Sequence, residues 1–433
     1  MTPWILMVIL TLFVFYCIKY MIKRGDDLHA FSFLILYIYT IFAQIGYVYY
    51  PILSMGIGAY FGPALYYRYW AFMFLSFVTA FFIYRMFPLK KTVIYEVYRV
   101  KYRKEFRFYF GLIFLFVCLL IYFYKNRSVF SWGSGNPMGS SWFSLLFYFF
   151  TISTIVLYAV IRYYRSSKFK ILLLICCVTF FIQVASAAGI RSSILYFFIA
   201  IASIELSPFI VSLRNRKTTI LKFVVLGCLL VYGLLIILQL RTQGSISLKK
   251  VFQTDLNAGS NALPISEQIL LQDYYAPSHT LFVSMYYDMI DPVEVIKSNV
   301  CNAILGVHYP PLTNTIVARV KGETLERGVG WSYHFFVQGY NFMGFMGFLY
   351  NGILWNILLR IWLLFVRTDN VLFRRTMYAL LIFCATLAMR NQTAQFIRSI
   401  YLNFIPGMIC LIWATNSRIR FRKNAHWDNL LNH

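Results

Sequence analysis

The sequence predicts an all-α polytopic membrane protein with about 11 transmembrane helices and one large loop that contains short helices. Of the 433 residues, 60% are hydrophobic and only 13% are charged. An ordinary soluble domain has about 25% charged residues. The apolar residues fall in runs of about 20, the length that an α-helix needs to cross a bilayer. Short basic clusters separate these runs.

The apolar runs predict transmembrane helices at residues 3–22, 30–50, 67–87, 108–124, 142–162, 171–188, 193–213, 219–240, 335–364, 376–390 and 398–415. The first run lacks the basic start and the small-residue cleavage site of a signal peptide, so we expect it to span the membrane. These helices divide the chain into three parts. Residues 1–240 carry eight helices, residues 241–334 form the large loop, and residues 335–433 carry three helices and a basic tail.

The distribution of lysine and arginine predicts the orientation of the chain. A formal net charge of +25 would indicate a nucleic-acid partner in a soluble protein, but here the basic residues cluster between apolar runs. Six clusters hold 26 of the 40 basic residues and fall on one face, which the positive-inside rule makes cytoplasmic. The N-terminus and the large loop are then outside and the C-terminus is inside. No nucleic-acid partner is expected.

The large loop has the composition of a soluble domain. Residues 241–333 contain eight of the 15 acidic residues and seven basic residues, whereas the rest of the chain has 33 basic and seven acidic residues. Capping residues and prolines predict three short helices that form a compact lid. They lie near residues 266–274, 278–290 and 292–304. Pro310 and Pro311 are then expected to turn the chain back towards the membrane.

Six arginines on the outer side break the charge pattern. They are Arg191, Arg241, Arg319, Arg327, Arg390 and Arg398. A guanidinium group pairs with two phosphate oxygens at once and keeps its charge when partly desolvated, so these residues are candidates for an anion site at the membrane boundary. The alternative is that each is an ordinary interfacial arginine whose side chain reaches to water.

Any reaction on the outer side has to use a lipid-activated substrate, because ATP and nucleotide sugars are confined to the cytoplasm. His334 is the first candidate for a base that deprotonates a sugar hydroxyl, because it stands where the chain re-enters the bilayer. Asp273 and His279 are the second and third candidates, and a structural or solvated side chain is the alternative for each. His29, near a helix end, is expected to be solvated.

The cysteines give no sign of a metal centre. Seven of the eight lie in apolar runs, which leaves Cys301 alone in the large loop. This distribution predicts neither a disulfide framework nor a zinc site. We expect no metal and no cofactor.

Several features of the sequence resemble bacterial O-antigen polymerases of the Wzy type. The strings that carry the resemblance are Gly189–Ser193, Asp273–Thr280, Arg327–Trp331 and Gly339–Gly344, with Arg241 at the start of the loop. The many-helix frame with one large outer loop late in the chain is also similar to that family. Arg319 with Gly330 fits the pattern of arginine, ten residues and glycine that some members have. Gln338 stands near the position of an acidic residue in relatives, which is a departure from the family.

The resemblance implies a fold like that of the GT-C-type membrane glycosyltransferases, in the bacterial inner membrane, with the active site on the periplasmic side. Such a polymerase joins a growing glycan on one undecaprenyl pyrophosphate to a new lipid-linked repeat unit in lipopolysaccharide biosynthesis, without a metal. The implied partners are the undecaprenyl-pyrophosphate-linked oligosaccharide as donor and acceptor, the lipid bilayer and a chain-length-determining co-polymerase. The outer arginines would bind the pyrophosphate.

Two other functions are compatible with a chain of this kind. An O-antigen ligase, which transfers the finished glycan to lipid A core, shares the fold and the chemistry. A lipid-linked oligosaccharide flippase would show internal repeats and charges buried in the middle of helices. Here the unusual charges gather at one outer level, which favours an enzyme.

Overall fold

The computed structural model describes residues 3–49, 62–87, 191–205, 276–304, 309–320, 333–366 and 371–415, together with short pieces between residues 117 and 226. The predicted transmembrane helix at 171–188 and the predicted loop helix at 266–274 lie outside these residues. The predicted helices at 108–124, 142–162 and 219–240 are described at only a few positions. All the regular secondary structure within the described ranges is helical.

The helices that the structure describes are α1 (Pro3–Lys23), α2 (Asp27–Tyr49), α3 (Pro63–Met86), α4 (Arg191–Glu205), α5 (Ala276–Tyr286), α6 (Pro292–Ala303), α7 (Leu312–Val320), α8 (Val337–Met343), α9 (Gly347–Leu364), α10 (Val371–Met389), α11 (Ala394–Ser399) and α12 (Ile405–Thr415). A 3-10 turn, Gly344–Met346, joins α8 to α9. A π-helical turn, Ile400–Phe404, joins α11 to α12.

Within the described ranges, four helical stretches are long and apolar enough to cross a membrane. They are Ile5–Lys23, Pro63–Met86, Val337–Leu364 and Ala394–Ile412. Several such helices in one chain are typical of a multi-pass membrane protein, as the sequence predicts. The structure therefore supports the membrane class of the chain.

The chain forms two compact units. Unit 1 comprises Met1–Ile94, Val231–Arg360 and Cys384–Ser399, and unit 2 comprises Tyr95–Leu230, Ile361–Phe383 and Ile400–His433. In unit 2 the hydroxyl of Tyr158 donates a 2.6 Å hydrogen bond to the carboxylate of Glu205. Every candidate site residue described with its side chain lies in unit 1.

Helix α5 lies inside unit 1, packed against α2, α3 and α8. All residues from Ser278 to Met285 are buried. The ring of Phe282 stacks on that of Tyr69, with 4.1 Å between the centroids, and the Ser278 hydroxyl donates to the carbonyl of Tyr39. A helix that is buried on every face belongs to a core. For this helix the structure therefore differs from the lid that the sequence predicts.

The turn between α8 and α9 depends on close glycine contacts. Gly344 has a φ of +59°, a left-handed conformation that glycine adopts without strain. Gly347 packs directly on the backbone of Gly339, so that a Cβ at Gly347 would overlap the Gly339 carbonyl group. The Asn351 side chain donates a 2.8 Å hydrogen bond to the Phe336 carbonyl and braces the same turn. The close contact between Gly339 and Gly347 thus allows α8 to pack against the start of α9.

His29 is fully buried at the start of α2, whereas the sequence predicts a solvated side chain. Its Nδ1 lies 3.0 Å from the carboxylate of Asp26. Burial alone would raise the pKa of Asp26, but the charge and hydrogen bonds of His29 outweigh it and hold this pKa below its usual value. The prediction for His29 was wrong because sequence position alone does not show that Tyr84 and Trp355 cover the ring.

Candidate functional site

An open cleft of about 630 Å³ lies in unit 1 between α6, α7 and the connection that leads into α11. This volume is within the range of about 300–1,000 Å³ that is usual for small-molecule sites. The residues that line the cleft are Asn302, Tyr309, Pro310, Pro311, Asn314, Asn391, Gln392, Ala394, Gln395 and Arg398. Among the described residues, the lining therefore contains five carboxamide side chains, one guanidinium group and no carboxylate.

Local sequence signals explain the two helices that form one wall of the cleft. Asp291 caps α6 by accepting a 3.0 Å hydrogen bond from the amide of Glu294, and Pro292 occupies the first helical position. Pro310 and Pro311 then lead directly into α7. The sequence predicts α6 closely, at residues 292–304, but it predicts only a turn where α7 begins.

Gln392 joins the walls of the cleft. Its Oε1 accepts hydrogen bonds from the amide of Leu312 at 2.9 Å and from the hydroxyl of Ser298 at 3.3 Å. Its Nε2 donates to the carbonyl of Ser298 at 3.3 Å. Asn299 adds a further bond, because its Oδ1 accepts from the amide of Ala394 at 3.1 Å. These bonds fix α6 and α7 against the start of α11.

Three lining residues have polar groups that are not used in this way. They are Asn314, Gln395 and Arg398. None of these side chains makes a hydrogen bond or an ion pair with any other residue that the structure describes. By contrast, Asn302 donates to Ser298, and Asn391 donates to the carbonyl of Leu387 at 2.7 Å. The walls of the cleft are thus held together by hydrogen bonds, whereas the side chains of Asn314, Gln395 and Arg398 can bond to a ligand.

A carboxylate stands behind the rim of the cleft but is already occupied. The hydroxyl of Tyr309 donates to Glu294 at 2.8 Å, and the hydroxyl of Thr315 donates to the other oxygen at 3.2 Å. The hydrogen bond to Glu294 raises the pKa of Tyr309, so this phenol stays protonated near neutral pH. Arg398 is therefore the charged side chain among the residues that line the cleft.

His334, the first candidate base, is fully buried. Its Nδ1 accepts a 3.1 Å hydrogen bond from the amide of Phe336, so the ring proton belongs on Nε2. The Nε2 lies 3.2 Å from the carbonyl of Leu36 and 3.3 Å from the hydroxyl of Thr40. Burial lowers the pKa of His334 to about 4, against the opposing effect of the Leu36 carbonyl. The ring is neutral near pH 7, and both of its nitrogens have partners inside the protein.

The other two candidate bases are placed differently. His279 lies within α5 and is fully buried, and burial lowers its pKa to about 3. Asp273 lies outside the described residues. Neither histidine is among the residues that line the cleft.

Of the candidate arginines whose side chains the structure describes, Arg398 lines the cleft. Arg390 follows α10 and is half-buried, with contacts of its own, but it does not line the cleft. Arg191 begins α4 in unit 2, and Arg319 lies in α7, but the structure describes only the backbone at these two positions. Arg241 and Arg327 lie outside the described residues.

Gln338 links α8 to the segment before α11. Its Oε1 accepts hydrogen bonds from the amide of Thr393 at 3.1 Å and from the Thr393 hydroxyl at 2.8 Å. Gln338 is fully buried, so these two bonds hold the connection to α11 in place. The part of the chain that the structure describes contains no group of three His, Cys, Asp or Glu residues that could hold a metal ion.

The sequence reasoning missed the carboxamides of the cleft. Their signal is the stretch 391–395, in which four of the five residues are polar and uncharged and which lies between two apolar helices. The partners of these residues, on α6 and α7, are about 80 to 95 positions away in the sequence. Because these partners are so far apart in the sequence, no single segment of the chain indicates the cleft.

No family model, no curated protein and no solved structure matches the chain.

Proposed function

We propose that this protein is an O-antigen polymerase of the Wzy type. It joins undecaprenyl-pyrophosphate-linked oligosaccharide repeat units at the periplasmic face by metal-independent glycosyl transfer and releases undecaprenyl pyrophosphate. The observation that supports this proposal most is the cleft at the start of the apolar stretch Ala394–Ile412, where Arg398 stands beside carboxamides. In the topology predicted from the basic clusters, this end of the stretch faces outside.

Arg398 is suited to the leaving group of this reaction. As the acceptor hydroxyl oxygen bonds to the anomeric carbon, the bond from that carbon to the pyrophosphate oxygen breaks and its electron pair leaves on the pyrophosphate. A guanidinium group that is not paired with a carboxylate stabilises this charge through two parallel hydrogen bonds. Arg191, Arg241, Arg319, Arg327 and Arg390 remain our proposed further ligands of the lipid pyrophosphate.

The acceptor hydroxyl also loses a proton. His334 and His279 are buried, and both nitrogens of His334 are occupied, so we favour Asp273 as the base. Pyrophosphate is a good leaving group, so a carboxylate of ordinary basicity is sufficient. Chain length would be set by a separate co-polymerase that contacts this protein in the membrane.

The direct test is polymer formation by the purified protein in detergent. Given undecaprenyl-pyrophosphate-linked repeat units, the protein should form polymer in the presence of EDTA. The Arg398→Ala protein should form little polymer at an unchanged protein level. Arg398→Lys should restore little activity, because a lysine ammonium group cannot form the two parallel hydrogen bonds of a guanidinium group. Ile397→Ala, at an exposed neighbouring position, is the matched control. Full polymer length from Arg398→Ala would overturn the role of this residue.

A deletion strain separates the proposed activity from its closest alternatives. Loss of a polymerase leaves a single repeat unit on the lipid A core, which a gel shows as one short band. Loss of a ligase or of a flippase leaves no repeat unit on the core. A deletion strain without the short band would therefore exclude the polymerase.

The orientation can be tested at Cys301. This thiol is half-buried in α6, and it is the cysteine of the large loop. A membrane-impermeant thiol reagent should label it in intact cells whose outer barrier is permeable to the reagent, and Cys301→Ala should remove that labelling. A cysteine introduced as Ser166→Cys, on the predicted cytoplasmic side, should not react. The reverse pattern would invert the topology.

A further inference from the structure

We infer that the cleft between α6, α7 and α11 is a saccharide-binding site that takes a glycosyl phosphate. In this assignment Arg398 binds the phosphate, and Asn314 and Gln395 bind the hydroxyl groups of the sugar. That the natural ligand is a lipid-linked repeat unit rests on the proposed function. The chemical class of the ligand follows from the cleft itself.

The polar groups of the cleft match a sugar better than a hydrocarbon or a simple anion. Each carboxamide offers two N–H donors and one carbonyl acceptor, and a sugar hydroxyl both donates and accepts. Asn314 and Gln395 make no side-chain hydrogen bond with the other described residues, so their donors and acceptors are open to water or to a ligand in the cleft. Two uncommitted carboxamides around one cleft can therefore hold several hydroxyl groups at once.

The charge of the cleft selects a sugar that carries a negative group. No acidic residue among those that the structure describes lines the cleft, and Glu294 behind the rim is held by the hydroxyls of Tyr309 and Thr315. Arg398 has no carboxylate partner among the residues that the structure describes. A phosphate on the sugar would supply that partner and match the guanidinium fork.

The volume and the rigidity of the cleft fit a ring with its phosphate. About 630 Å³ is larger than an isolated phosphate needs. Pro310 and Pro311 give one side an apolar surface for the C–H groups of a sugar ring. Gln392 holds both walls through three hydrogen bonds, so little ordering is needed when a ligand enters.

Binding can be measured without any polymerase assay. The full-length protein in detergent would be mixed with the 1-phosphates of glucose, galactose, N-acetylglucosamine and N-acetylgalactosamine, and saturation-transfer NMR would report contact with ring protons. At least one glycosyl phosphate should bind about threefold to tenfold more tightly than its free sugar, which is the effect of about one ordinary hydrogen bond. Inorganic phosphate should compete only weakly, because it lacks the hydroxyl groups and the ring of the sugar.

Single substitutions should show separately which residues bind the sugar and which bind the phosphate. Gln395→Ala and Asn314→Ala should each weaken the binding of the glycosyl phosphate about threefold to tenfold. They should leave competition by inorganic phosphate unchanged. Arg398→Ala should remove the preference for the phosphorylated sugar over the free sugar. Thr313→Ala and Ile397→Ala, which change neighbouring residues that do not line the cleft, are the matched controls.

The outcomes distinguish this site from the proposed function. If none of the four glycosyl phosphates binds, or if the Gln395→Ala and Asn314→Ala proteins bind like the parent while their thermal unfolding is unchanged, the saccharide site is wrong even if polymer forms. If the glycosyl phosphates bind as expected but no polymer forms from lipid-linked repeat units, the site stands and the polymerase proposal fails. In a protein that does polymerise, Gln395→Ala should raise KM more than it lowers kcat.

Discussion

The surroundings of His334 and the cleft beside Arg398 are both polar regions of unit 1, and they use their hydrogen-bonding groups in different ways. Around His334, the Phe336 amide, the Leu36 carbonyl and the Thr40 hydroxyl occupy both ring nitrogens. In the cleft, Asn314, Gln395 and Arg398 have no such partners among the residues that the structure describes.

The difference separates two reasons for placing a polar residue in an apolar chain. A buried polar group with all its partners contributes to stability, and its removal leaves those partners without hydrogen bonds. An accessible polar group without partners contributes little to stability, so it is available to a ligand. Substitutions in the first region should therefore change folding, and substitutions in the second should change binding.

The largest effect is expected in the interior, at Gly347. A Cβ at this position would overlap the Gly339 carbonyl group, so Gly347→Ala forces α8 and α9 apart. Overpacking of this kind costs about 3 kcal/mol or more, and we expect little folded protein in the membrane. The measurement is the protein level together with thermal unfolding in detergent. Gly62→Ala is the control, because nothing lies within 4 Å of the added atom, and an equal loss there would contradict this reasoning.

His334→Ala should give the next largest loss of stability. The change leaves a cavity and deprives the Phe336 amide and the Thr40 hydroxyl of a partner, at a cost of about 2–4 kcal/mol in the free energy of unfolding. Arg398→Ala should change that free energy by less than about 0.5 kcal/mol, as is usual for a side chain without partners. Thermal unfolding of the two variants tests the contrast. A His334→Ala protein of normal stability that forms no polymer would instead return His334 to the role of base.

Gln392 and Gln395 offer the same contrast within the cleft, with the same residue type. Gln392→Ala should cost about 2 kcal/mol, because the buried Leu312 amide loses its acceptor and the Ser298 carbonyl loses a donor. Gln395→Ala should change stability by less than about 0.5 kcal/mol. Chemical or thermal unfolding in detergent would show both values. Equal losses at the two positions would mean that Gln395 also has a structural role.

A further contrast between the two regions concerns the dependence of stability on pH. His334 has a pKa of about 4 in the folded protein and an ordinary value of 6.5, so the unfolded chain binds more protons between these values. Stability should therefore rise with pH from about 4 to 6.5 and then level off for this group. His279, with a pKa of about 3, acts in the same direction. Unfolding midpoints measured across this range should show the slope, and His334→Leu should reduce it by up to about 1.4 kcal/mol per pH unit.

The sequence predicted several helices closely because their signals are local. The first helix is predicted at residues 3–22 and found at Pro3–Lys23, and α6 is predicted at residues 292–304 and found at Pro292–Ala303. In α6 the capping aspartate and the following proline fix the start within a few residues. The internal position of α5 was not predicted, since its apolar residues fit a lid as well as a core.

The sequence by itself determined which segments are apolar helices, where charge is allowed, and which residue types could bind an anion. These properties depend on composition and on spacing over a single turn or a single span. Only the tertiary structure decided which polar side chains have partners. Gln392 binds Ser298 and Gln338 binds Thr393 across 94 and 55 positions of the chain, and no local pattern records such pairs. Hydrogen-bond satisfaction, which separates His334 from Arg398, depends on packing between distant helices.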